Sequence, residues 1–218
     1  MNPKPLLDFI ANHESEGAAK RLKINAYDVV WGGIKSKHRP LKSLRTMTVA
    51  EVLAWQDSID PIYPSEAAGR YQIMEDTLRV VHVAAGVKPT DLFDASTQDR
   101  LALQLMRGRG MDLYLSGAIT AENFANNLAR EWASLPVVSG TKKGRSFYDG
   151  DGLNKAHVDI EPFLAAVRAV KTDQPDASDA IIASASDEPT RDAPASAPPV
   201  LRLLASIIAA IRKIFGEK

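Results

Sequence analysis

The chain has 218 residues, 45% apolar and 25% charged, an ordinary globular composition and enough length for one well-buried domain plus an appendage. Lys+Arg and Asp+Glu both number 27, so no global basic charge points to nucleic acid. With no Cys, disulfide scaffolds, thiolate zinc sites and Cys nucleophiles are excluded, and the four His include no HxxxH or HExxH pair, which argues against a metalloenzyme.

The opening Met-Asn-Pro-Lys-Pro-Leu-Leu-Asp has no apolar run of signal-peptide length. No stretch reaches the ~20 apolar residues of a membrane span, so action outside the cytosol is expected to need another carrier. Leu6, Phe9, Ile10 and His13 fall at i, i+3, i+4 and i+7, which predicts a first helix ending near Glu16-Gly17. Tyr27 to Gly33 reads as a short strand closed by a Gly turn. Thr48-Val-Ala-Glu51 is a capping box that opens a helix through about Ser58. Glu75 to Ala85 is helical up to Gly86; Ser96 caps a helix through Met106, stopped by Gly108 and Gly110. Thr120 caps another through Ser134, ended by Pro136, and His157 to Lys171 carries Ile160, Phe163, Leu164 and Val167 on one stripe. The expected fold class is α+β, mostly helical, with a small β-lobe after the first helix.

Composition changes after Lys171. Residues 172–199 hold five Pro, seven Ala, four Ser and six Asp/Glu, with a net charge of −5. Such a stretch buries too little to offset its ordering entropy and reads as a disordered acidic linker. Residues 200–218 carry net +3, and Val200, Leu204, Ile207, Ile211 and Ile214 repeat on one face opposite Arg202, Ser206, Ala209 and Lys213. That is an amphipathic helix too short to span a bilayer, suited to an anionic membrane or outer-membrane lipid interface. Packing on the domain, or self-association, is the alternative. The domain proper is therefore 1–171.

Three segments carry chemistry. Asn12-His-Glu-Ser-Glu-Gly17 places Glu14 and Glu16 at the expected end of the first helix, where the negative end of the macrodipole disfavours ionisation and suits a general acid; two solvated surface acids are the bland alternative. Ser65 to Met74 holds Gly69-Arg-Tyr-Gln72, with donors and an aromatic face for a polar extended ligand such as a saccharide, although a strand-turn with a buried Tyr has the same pattern. Gly144 to Ala156 lacks the EF-hand and phosphate-loop spacings and reads as a demanding loop lining a cleft, or a capped turn.

Together these residues resemble the phage lambda endolysin family, the lambda-type lytic transglycosylases of the lysozyme-like superfamily. Ala26-Tyr-Asp-Val-Val-Trp-Gly-Gly33 is similar to the family's Gly-Tyr-Asp-Val-Ile-Val-Gly-Gly, and Ala67-Ala-Gly-Arg-Tyr-Gln-Ile-Met74 to its Gly-Ala-Gly-Arg-Tyr-Gln run. Ser96 to Gln104 and Trp132-Ala-Ser-Leu-Pro136 resemble its later helices, so the likeness covers roughly 5–170. It implies a lysozyme-like domain that cuts the peptidoglycan glycan strand between N-acetylmuramic acid and N-acetylglucosamine, without metal or organic cofactor. Gap-free alignment through Leu7-Asp8 puts the family's catalytic Glu at Glu14; the Glu-Gly pair at Glu16-Gly17 is the competing register. Gln72, Tyr71 and Tyr148 are the expected sugar contacts, and Asp28 and Ser15 the expected supports of the catalytic region. The resemblance also implies synthesis in a host cytoplasm without a signal peptide and action on the wall after release, or from a virion. A muramidase using Asp28 or Glu16 as second carboxylate, and a non-catalytic wall-binding or virion protein with a membrane-active C-terminal helix, are the alternatives.

Overall fold

The computed structural model describes residues 1–152 and 154–171. The linker expected at 172–199 and the amphipathic helix expected at 200–218 lie outside the described residues.

Pro3 and Pro5 start α1 (Lys4–Ala11), where a missing N–H costs nothing. The helix buries Leu6, Leu7 and Ile10, and Phe9 stacks on Phe163 with ring centroids 5.9 Å apart. The first helix does not end at Glu16. It widens into a π-helical turn over Asn12–Glu16 and resumes as α2 (Gly17–Leu22). Gly17 adopts an ordinary helical φ of −63°, and termination waits for Lys23, whose φ of 55° places it in the left-handed region. A glycine permits a helix end but does not impose one.

The expected strand from Tyr27 is also corrected. Asn25 accepts the N–H of Tyr27 at 3.0 Å and winds Ala26–Asp28 into a 3-10 turn. Only Val30 then pairs, with Ala68, which pairs in turn with Ile73. The β-lobe among the described residues is thus a set of isolated bridges around the tight hairpin 68–73. That hairpin is seated by Gly69: its φ is +79°, and a Cβ there would lie 2.2 Å from Gln98 Oε1. Gln98, itself buried, accepts the N–H of Arg70 and donates to the carbonyls of Tyr27 and Phe93. Gln56 fixes the other end by donating to the carbonyls of Glu66 and Ile73.

The capping box forms as expected and opens α3 (Val49–Ile59). Next, α4 (Glu75–Ala84) ends ahead of Gly86, and the N–H of Glu75 donates to the buried carboxylate of Glu66 at 3.0 Å. Asp94 rather than Ser96 caps α5 (Ala95–Gly108), accepting from Thr97 N. The short α6 (Met111–Leu115) follows Gly110. Thr120 does cap α7 (Ala121–Leu128), but this helix stops six residues before Ser134. Past Leu128 the chain tightens, with Arg130 N and Glu131 N donating to the carbonyls of Asn127 and Leu128, and the Trp132 indole N–H donates to Tyr71 O at 3.2 Å. Finally, α8 (Ile160–Ala169) buries Phe163, Leu164 and Val167 against α1 and α7. One continuous core contains Leu101, Met106, Phe124, Leu128, Trp132 and Leu135 with those residues.

Candidate active site

Glu14 lies in the middle of the π turn, and Ser15, almost fully buried at 1% exposure, follows it. Such widened turns recur where a helix must aim a functional side chain. The Ser15 hydroxyl donates to Arg70 O at 2.7 Å and fastens the turn to the hairpin. Ser15 thus links the turn that carries Glu14 to the backbone of the Arg70 hairpin.

Glu14 and Glu16 are separated. Two residues along a helix turn a side chain roughly halfway round, and the two carboxylates meet different partners. Glu14 Oε1 accepts from Ser134 Oγ at 2.6 Å. Burial raises the Glu14 pKa, and the hydroxyl and backbone of Ser134 oppose that rise. The expected macrodipole effect is corrected, because Glu14 is inside a helical run rather than at its end; desolvation supplies the shift instead. Beside it, His13 packs on Phe9 at 4.8 Å, and burial and then His157 lower its pKa.

Glu16 sits 3.5 Å from Arg70 Nε. The same guanidinium donates to Asp8 at 2.9 Å and to the hydroxyls of Tyr71 and Tyr27 at 3.1 and 3.3 Å. Both hydroxyls in turn donate to Asp99 Oδ1, at 2.7 and 2.8 Å. This network borders a cavity of about 600 Å³ whose lining includes Glu16, Asp8, Tyr27 and Arg70 but neither Glu14 nor Ser134.

Three of the expected sugar or support residues have their polar groups engaged within the protein. Tyr71 is 1% exposed and packs in the core, with burial and then Asp99 raising its phenol pKa. Asp28 accepts from Ser43 Oγ at 2.5 Å and from Arg45 N and Nε at 3.2 and 3.0 Å; it ties down the 43–45 turn. Gln72 holds a φ of 47°, and its amide donates to the carbonyls of Gly69 and Val29 at 2.8 and 3.3 Å, so it closes the hairpin. Tyr148 alone of the set is open, 40% exposed with its hydroxyl donating to Arg130 O at 2.7 Å. Ser134 was not among the expected residues. Its signal was present in Trp132-Ala-Ser-Leu-Pro136, but a helix through Ser134 masks a hydroxyl that needs irregular backbone to reach Glu14.

The arrangement can hold one carboxylic acid, poised by a hydroxyl and desolvated by its surroundings, ready to give a proton to a ligand and take one back. No curated protein and no solved structure matches this chain significantly. A family model described as endolysin matches residues 4–158, a span that includes Glu14, the Arg70 hairpin and Ser134. The chain therefore belongs to the phage endolysin family, enzymes that act on the peptidoglycan of the cell wall.

Proposed function

We propose that this endolysin is a lysozyme-like lytic transglycosylase in which Glu14 is the acid and then the base. The supporting observation is that Glu14 has a serine hydroxyl as partner and a raised pKa, while the other candidate carboxylates are occupied: Glu16 by Arg70, and Asp28 by Ser43 and Arg45. Hydrolysis by either usual route needs two carboxyl groups in play. Intramolecular transfer needs one. Glu14 gives its proton to the glycosidic oxygen as the bond to muramic C1 breaks. The resulting carboxylate takes the proton of the muramic C6 hydroxyl as O6 closes on C1, and a 1,6-anhydro end forms with no water consumed. Tyr148, an exposed aromatic, is the first candidate for a sugar contact.

Mass spectrometry of fragments released from purified walls tests this reading. The expected fragments end in anhydromuramic acid, one water lighter than hydrolytic ends. Reducing muramic ends would establish a muramidase instead, and absence of release a binding protein.

The chain is further proposed to be modular, with 1–171 cutting glycan, 172–199 acting as a tether and 200–218 lying in an anionic lipid interface. The sequence of 200–218, cationic on one face and aliphatic on the other, supports this. The full chain should co-sediment with anionic vesicles, and a chain ending at Lys171 should not.

A further inference from the structure

A carboxylic acid that must donate and then retake one proton works best if its two oxygens have different duties. We propose that Ser134 is a positioning residue that assigns them: by donating to Oε1 of Glu14 it holds that oxygen fixed and leaves Oε2 to carry the travelling proton. This rests on Glu14 being the acid of the reaction proposed above.

The hydroxyl is delivered from 120 positions along the chain and is held on every side. Ser134 is 6% exposed, and its carbonyl accepts the N–H of His157 at 3.0 Å. Upstream, the Trp132 indole is tied to Tyr71 O at 3.2 Å; downstream, Val138 N donates to the Asn126 side chain at 2.8 Å. A segment anchored at both ends cannot follow a wandering carboxylate, so the 2.6 Å contact fixes the carboxylate instead. The Ser134 proton stays on Oγ throughout. In the acid step Oε2–H passes to the leaving glycosidic oxygen; in the base step the C6 hydroxyl proton returns to Oε2. Hydrogen bonding to the ionised form also offsets part of the burial that favours the acid, so the carboxylate is accessible when the second step needs it.

The test uses the full chain and soluble glycan-strand fragments, with kcat and KM measured across pH. In Ser134→Ala, kcat should fall about 10–100-fold with KM nearly unchanged, because orientation at the reacting atoms is lost while binding is not. The alkaline limb of the kcat profile, where the acid loses its proton, should move to higher pH. Ser134→Thr, which keeps the hydroxyl, should bring the limb back. If Ser134→Ala does not fold, Ser134→Cys keeps the volume with a weaker donor, and the same displacement is read there. An unmoved limb in a folded variant, or a loss of activity no larger than the loss of folded protein, would overturn the proposal. A dead Glu14→Gln beside an unaffected Ser134→Ala strikes only this inference; an active Glu14→Gln strikes the functional reading beneath it.

Discussion

On one side of the helical run from Lys4 to Leu22, Glu16 joins Asp8 and Asp99 around the single guanidinium of Arg70. On the other side, Glu14 accepts from the Ser134 hydroxyl and has no ion pair among the described residues. The two glutamates are two residues apart in sequence, so local composition does not distinguish them. Their neighbours do. A carboxylate beside a cation gains from staying charged, which suits a strut; one beside a hydroxyl in desolvating surroundings is free to trade its proton. Ser15, between them, is bonded to Arg70 O and thereby fixes which face each presents.

Substitution at the two glutamates gives the sharpest break between these faces. Glu14→Gln is nearly isosteric but cannot give up a proton, and wall clearing should drop about 10²–10⁴-fold in a turbidity assay on purified walls. Glu16→Gln should retain activity within about fivefold, since only a part of an ion-pair network is lost. The reverse result would exchange the roles of the two faces.

The next effect is on stability. Arg70→Ala leaves Asp8, Glu16 and two tyrosine hydroxyls without their shared donor, and should cost about 3 kcal/mol in denaturant unfolding. Activity per folded molecule should fall far less than in Glu14→Gln. A loss of activity equal to that of Glu14→Gln in a stable Arg70→Ala would make the Arg70 face part of the chemistry. Ser15→Ala should cost less, about 1–2 kcal/mol, by leaving the Arg70 carbonyl without its hydroxyl donor.

The smallest and most diagnostic effect is on pH dependence of unfolding. Burial raises the Glu14 pKa in the folded state, so the folded chain holds that proton more tightly than the unfolded chain. The resulting contribution to stability is present below the ordinary glutamate value of about 4.3 and is lost as pH rises through the folded value. Asp8 has the opposite sign. Burial raises it, but Lys4 and Arg70 outweigh burial and hold it low, so its contribution is present above the ordinary aspartate value of about 3.9 and lost as pH falls through the folded one. Glu14→Gln should therefore flatten the stability profile on the neutral side, and Asp8→Asn on the acid side. Identical profiles for both would mean that the two faces share one electrostatic environment.

Periodicity and capping chemistry sufficed for most helices, because the forces that make them are local. The apolar stripe of α1, the Thr48-Glu51 box of α3 and the Thr120 cap of α7 all act within one or two turns. The helical placement of Glu14 is legible from the apolar register of α1, although the π turn that carries it is not. The partners of the other candidate residues are not legible in sequence, because they come from elsewhere in the fold. Tyr71 faces Asp99, Asp28 faces Arg45, and Gln72 closes a hairpin, and all three would read as available side chains wherever those partners stood.

The sequence by itself determined a helical domain with its core stripes, the acid-bearing first helix, and the change of composition after Lys171. These follow from hydrophobic period, caps and composition, each readable over a few neighbouring residues. Only the tertiary structure decided that the first helix continues past Glu16, that α7 unwinds before Ser134, and which glutamate meets a hydroxyl and which a guanidinium. Those outcomes turn on burial and on hydrogen bonds between segments as much as 120 residues apart. Desolvation has no sequence period, because it is a property of the packed surroundings rather than of the residue.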